Sequence, residues 1–205
     1  MSKKAKDNIE RRNFIMDGCR IEKRDDDVKT IIGHAAVFNE LSENLGGFRE
    51  MIKPGAFSDT IKTDDVRALF NHNPDHVLGR NKSGTLSMHE DGRGLAIEIT
   101  PPDTQIGRDL IISMERGDIT QMSFGFRVKA GGQDWSEDEE GTVIRTLTDL
   151  KLFDVSPVTF PAYPQTDVAL RSLNEYKDEQ DEFSKQERLT QMEMKERKLK
   201  LVELG

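Results

Sequence analysis

Between Ile31 and Phe160 the apolar residues fall in short runs bounded by Gly, Pro, Asn and Asp, and only one stretch changes to a helical repeat. That rhythm confines the chain to a mixed, mainly β core with a few packed helices, because such short runs bury as strands rather than as core helices. The run I-I-G-H-A-A-V-F at 31–38 reads as a buried strand, and 66–70, 122–128 and 152–160 have strand character. Segments 84–88 and 95–100 flank E-D-G-R-G, whose glycines supply the positive φ angles of a hairpin turn, so the two are expected to pair antiparallel. Lys53-Pro54-Gly55-Ala56-Phe57 predicts a turn followed by a short helix to about Ile61. The helical repeat is Ile106, Leu110, Ile111 and Met114, with Thr104 as N-cap and Gly117 as the stop. The acidic, Gly-containing insert 131–141 is expected as a mobile surface loop, and Pro161 and Pro164 are expected to end the sheet region.

The two ends differ from this core. Residues 1–27 are charged, with Arg11, Arg12 and the run Asp25-Asp26-Asp27 around an apolar patch at Phe14 to Met16, and read as a loosely held arm. Beyond Asp167 there is no Gly until Gly205, and Lys, Glu, Gln, Arg, Leu and Met dominate, which favours helix. Leu189, Met192, Leu199 and Val202 give that helix only a thin apolar stripe. The expected organisation is a charged arm 1–27, a core domain 28–166 and a charged helical extension 167–205. Composition agrees, since 33% charged residues and a mean hydropathy of -0.66 are too polar for a chain that is compact throughout. A net charge of -8 argues against sequence-independent binding to nucleic acid or to an anionic membrane, which needs a basic surface. Cys19 is the only cysteine, which excludes an intramolecular disulfide and suits a reducing cytoplasm. No apolar run near the start is long enough for a signal peptide or a membrane span, so a soluble, unexported protein is expected.

A hydroxyl nucleophile needs a base, a group that orients the base, and donors for the oxyanion, which directs attention to Ser and His at strand ends and turns. Ser123, in Q-M-S-F-G-F, interrupts an apolar strand, and His72 stands in the turn-rich N-H-N-P-D-H that follows the strand at 66–70. Local pattern alone favours a serine satisfied within a sheet and a surface or capping histidine. The motif is also not the G-x-S-x-G elbow of the α/β-hydrolases. His72 and His76, four apart, could share a zinc ion on one helical face, but Pro74 discourages helix between them and no further Cys or His cluster supplies ligands. No metal or cofactor is therefore expected. His76 is the alternative base, while His34 and His89 read as sheet or hairpin residues.

The order of the motifs adds what local pattern lacks. G-H-A-A-V-F-N at 33–39, K-P-G-A-F at 53–57, L-F-N-H-N at 69–73, L-G-R at 78–80 and G-T-L at 84–86 are followed by Q-M-S-F-G-F at 121–126 and D-V-S-P-V-T-F-P-A-Y-P at 154–164. Together these resemble the prohead maturation proteases of tailed phages with HK97-like capsids, over residues 31–166. The resemblance implies an antiparallel β-barrel-like core, of the kind in herpesvirus assembly proteases, and the activity of a serine endopeptidase. It puts the nucleophile on Ser123 and the general base on His72. Herpesvirus enzymes have a second His as third member, but no His follows Ser123 here, so a carboxylate is expected, with Asp154 as the candidate. Pairing of Asp154 with Lys151 is its competing role. Backbone N–H groups are expected at the oxyanion, with Arg80 a side-chain candidate equally suited to a structural part. The implied biology is cleavage of the scaffolding segment of the major capsid protein, of other internal proteins and of the chain itself, inside a procapsid in the host cytoplasm, by a monomer or a homo-oligomer. A non-catalytic assembly or scaffolding protein on the same fold is the alternative from another class.

Overall fold

The computed structural model describes residues 9–15, 20–23, 28–160 and 167–203. Met16, Cys19, the acidic run at 25–27, Pro161 and Pro164 lie outside the described residues. The chain divides into two compact units, Met1–Thr166 and Asp167–Gly205.

In the first unit the strands are β1 (Glu10–Ile15), β2 (Arg20–Lys23), β3 (Lys29–Val37), β4 (Arg49–Ile52), β5 (Arg67–Phe70) and β6 (Asn73–Arg80). They continue as β7 (Leu86–Glu90), β8 (Gly94–Ile99), β9 (Gln121–Val128), β10 (Gln133–Glu137), β11 (Val143–Leu147) and β12 (Leu150–Val158), with helices α1 (Ser58–Thr63) and α2 (Gln105–Glu115) between. They form three open sheets, of order β1-β9-β12-β5-β6, β2-β3-β8-β7 and β10-β11-β4. The expected barrel-like closure is therefore corrected. Closure would leave no edges, whereas β1 and β6, β2 and β7, and β10 and β4 each end a sheet among the described residues. The apolar faces meet instead in one core that includes the fully buried Ile31, Phe57, Phe124, Phe126, Leu95 and Leu150.

Two strands position the site. In β9, side chains alternate between faces, so Met122, Phe124 and Phe126 enter the core while Gln121, Ser123 and Gly125 share the opposite face. β12 runs antiparallel to it, with Leu152 opposite Phe126, Asp154 opposite Gly125 and Ser156 opposite Ser123. The register skips Phe153, which is the extra residue of a β-bulge. Without the bulge, strict alternation from the core residue Leu152 would turn Asp154 inward. With it, Asp154 and Ser156 stand on the face of Ser123.

The hairpin at 86–99 and the helix from Thr104 form as expected, Thr104 Oγ1 accepting from Gly107 N at 3.2 Å and Gly117 adopting φ 80°. The turn at Pro54 leads into α1, whose start is held by Glu90: its carboxylate accepts Gly55 N (3.0 Å), Phe57 N (2.8 Å) and Ser58 Oγ (3.0 Å). Elsewhere the structure departs from expectation. The insert 131–141 is no mere loop, because β10 pairs with β11 and β11 pairs in parallel with β4. The charged arm contributes β1, which pairs with β9 along its length, and β2, which pairs with β3. The second unit is a single helix, α3 (Asp167–Glu203), with Phe183, Leu189, Met192 and Met194 exposed among charged residues. Among the described residues no helix is long and apolar enough to cross a membrane.

Candidate active site

β5 and β6 are joined by only two residues, Asn71 and His72, because Phe70 pairs with Asn73. Both adopt φ 55°, the left-handed pattern of a tight hairpin turn. Asn enters that region readily; an ordinary side chain there costs roughly 1–2 kcal/mol. The turn thus presents the imidazole away from its own strands and toward β9 and β12.

There His72 Nδ1 lies 2.5 Å from Asp154 Oδ2, and His72 Nε2 lies 2.7 Å from Ser123 Oγ. A carboxylate only accepts, so Nδ1 carries the proton and Nε2 is left as the acceptor of the Ser123 hydroxyl. Ser156 Oγ also donates to Asp154 Oδ2, at 2.7 Å, holding the carboxylate from the strand side. Asp154 is 6% exposed and Ser123 wholly buried, so these hydrogen bonds are shielded from competing water. Chemically, the arrangement can take a proton from a serine hydroxyl and stabilise the imidazolium that results.

The other candidates are placed elsewhere. Arg80 binds Asp65 through Nε–Oδ1 and Nη2–Oδ2, both at 2.7 Å, and holds that carboxyl down at about 2. It ends β6 opposite Arg67, with its guanidinium taken up by Asp65, which fits the structural part. Lys151 does not pair with Asp154; its ammonium lies 3.9 Å from Asp64 and over the Phe153 ring. His76 stacks on Phe70 with centroids 6.4 Å apart, and His34 Nε2 meets Asp91 Oδ2 at 2.9 Å. Both ring nitrogens of His72 are engaged, and among the described residues no group of three His, Cys, Asp or Glu is placed to hold a metal.

Three contributors were not anticipated. Ser156 had a signal, since it follows Asp154 by the two-residue period of a strand face. Gly125 had one too, because glycine inside a strand marks a close approach: a Cβ there would sit 2.5 Å from Asp154 Oδ1. Asn71, which contacts β12, was hidden within a turn whose geometry cannot be read from residue types alone.

Comparison with known proteins agrees with the motif order. In fold the chain is similar to the bacteriophage T4 capsid assembly protease, gp21, at a TM-score of 0.50 and 12% identity, over 73% of this chain and 96% of that one. No curated protein matches. A family model described as caudovirus prohead serine protease matches residues 18–179, most of the chain. The chain therefore belongs to the prohead serine proteases of tailed phages, a family of capsid maturation.

Proposed function

We propose that the chain is a serine endopeptidase in which Ser123 is the nucleophile, His72 the general base and Asp154 the group that orients His72. The observation that carries this reading is the continuous chain of hydrogen bonds from Ser123 Oγ through both nitrogens of His72 to Asp154. As Oγ forms its bond to the scissile carbonyl carbon, its proton passes to Nε2, and the carbonyl π electrons move to oxygen. Collapse of that intermediate breaks the C–N bond, and Nε2 returns the proton to the leaving amine. Water then repeats the sequence on the acyl-enzyme, Oγ regaining its proton at the end. The substrates are the scaffolding segment of the major capsid protein, other proteins enclosed with it, and the chain itself, and the place is the procapsid interior within the host cytoplasm. This substrate reading rests on family membership and on a structural relative named for capsid assembly. The extension α3 is proposed to recruit the enzyme to the scaffold by helix pairing.

Co-expression of the matching capsid protein with wild type, Ser123→Ala and His72→Ala tests the assignment. Processed capsid protein is expected with wild type and with neither variant. Cleavage that persists in Ser123→Ala removes it from the nucleophile's role. Absence of cleavage by every form, wild type included, favours the scaffolding alternative, for which the full burial of Ser123 is the specific support.

A further inference from the structure

Asn71 is hydrogen-bonded to neither Ser123 nor Asp154, yet three hydrogen bonds tie it to β12 and the residue just beyond. Its backbone N–H donates to Pro157 O at 3.0 Å. Its side-chain Nδ2 donates to Thr159 Oγ1 at 3.1 Å, and its Oδ1 accepts from Thr159 N at 2.9 Å. The same strand carries Asp154 and Ser156, so the clamp joins the turn that bears the base to the strand that bears the base's partner. β5 and β12 are otherwise in register only at Arg67 with Asp154 and Ala68 with Val155. At the far end of β5 the turn is tied to β12 by these bonds of Asn71 and by the His72–Asp154 hydrogen bond.

We propose that Asn71 is a positioning residue: its side chain, clamped to Thr159, holds the left-handed turn against β12 and so sets the distance from His72 to Asp154 and Ser123. The need arises from His72 itself. Both turn residues have φ 55°, a left-handed conformation uncommon outside glycine, and His72 gains from being held there. One amide serves two purposes, a backbone preference for the left-handed region and a two-pronged grip on Thr159. This inference rests on the catalytic reading above, because positioning is meaningful only if His72 works as a base.

The two purposes separate by substitution. Asn71→Gly keeps the left-handed backbone and removes the grip; Asn71→Asp keeps the Oδ1 acceptor for Thr159 N and loses only the donor to Oγ1. Capsid processing on co-expression is expected to fall about tenfold or more in Asn71→Gly, since small displacements of a catalytic base are costly in rate. Asn71→Asp is expected to restore most of it. A second readout needs no activity: the downfield proton resonance of His72 Nδ1–H, assigned by its loss in His72→Ala. It should persist in Ser123→Ala and broaden or shift in Asn71→Gly, while circular dichroism shows both variants folded. Processing at the wild-type rate by Asn71→Gly, or an unchanged resonance in that variant, would overturn the proposal. If Ser123→Ala still cleaves, the catalytic reading fails instead, and the resonance still reports whether Asn71 holds His72.

Discussion

At Gly125 a hydrogen stands where any other residue would put a carbon 2.5 Å from Asp154 Oδ1, well inside contact distance. The carboxylate cannot simply swing away, because its other oxygen takes hydrogen bonds from His72 Nδ1 and Ser156 Oγ. Gly125→Ala is therefore expected to displace Asp154 and loosen its hold on the imidazole while leaving the apolar face of β9 intact. Capsid processing should drop by about a hundredfold, on the scale of a 1 Å misplacement at a catalytic group. Circular dichroism should remain that of the wild type. A variant that is folded and processes at the normal rate would show that the orientation of Asp154 matters little to the reaction. The glycine in Q-M-S-F-G-F is thus as much a part of the site as the serine two residues before it.

Strand β1 shows how charge can conceal an element. Glu10 and Arg12 lie on the core side of the sheet, where Arg12 meets Glu10 (2.8 Å) and Glu50 (2.7 Å), and Arg145 meets Glu10 (2.8 Å) and Glu50 (3.0 Å). All four are at most 5% exposed, and the guanidiniums also lie over the rings of Phe126 and Trp135. Charges that balance one another across β1, β4 and β11 are invisible to a reading that equates charge with solvent, and they hide a strand in a segment that reads as a loosely held arm. The strands of the apolar core, the capped helix α2 and the hairpin at 86–99 were legible because burial and turn chemistry leave local patterns. Ser123 and His72 needed the order of motifs, and the facing of Asp154 needed the bulge at Phe153, which no local pattern marks. Burial raises the Glu10 carboxyl, but the hydrogen bond and charge of Arg145, and then those of Arg12, outweigh it, and the net direction is downward from 4.5. A depressed carboxyl contributes stability that is present above its unfolded value and lost as pH falls through its folded one. Arg145→Met leaves Glu10 and Glu50 short of a partner, and breaking a buried network in this way costs about 3–5 kcal/mol. Urea unfolding should show that loss at neutral pH. The acid-unfolding midpoint should also rise, since Glu10 loses its strongest downward influence; a midpoint that stays put would mean that Arg12 alone holds it.

The molecule joins a core that carries the hydrogen-bonded site to a helix of 37 residues, roughly 55 Å long at 1.5 Å per residue, in which about half of the residues are charged. An isolated helix gains little from propensity alone, and tertiary packing of an apolar face is what usually sustains one. Phe183, Leu189, Met192 and Met194 are exposed large apolar side chains in α3, spread along a helix too polar to form a core of its own. Pairing with helical scaffold would cover such residues and would bring the protease into the shell as it assembles, which a free-standing core could not ensure. A chain ending at Thr166 keeps every residue of the hydrogen-bonded site and of the three sheets, so it should fold and keep its cleavage chemistry. Its incorporation should nevertheless fall severalfold relative to the full chain when procapsids are purified after co-expression with capsid protein and the enclosed protease is quantified. Making the comparison in Ser123→Ala chains prevents self-processing from blurring the count. Equal incorporation of the two would show that recruitment lies in the core and that α3 serves another purpose.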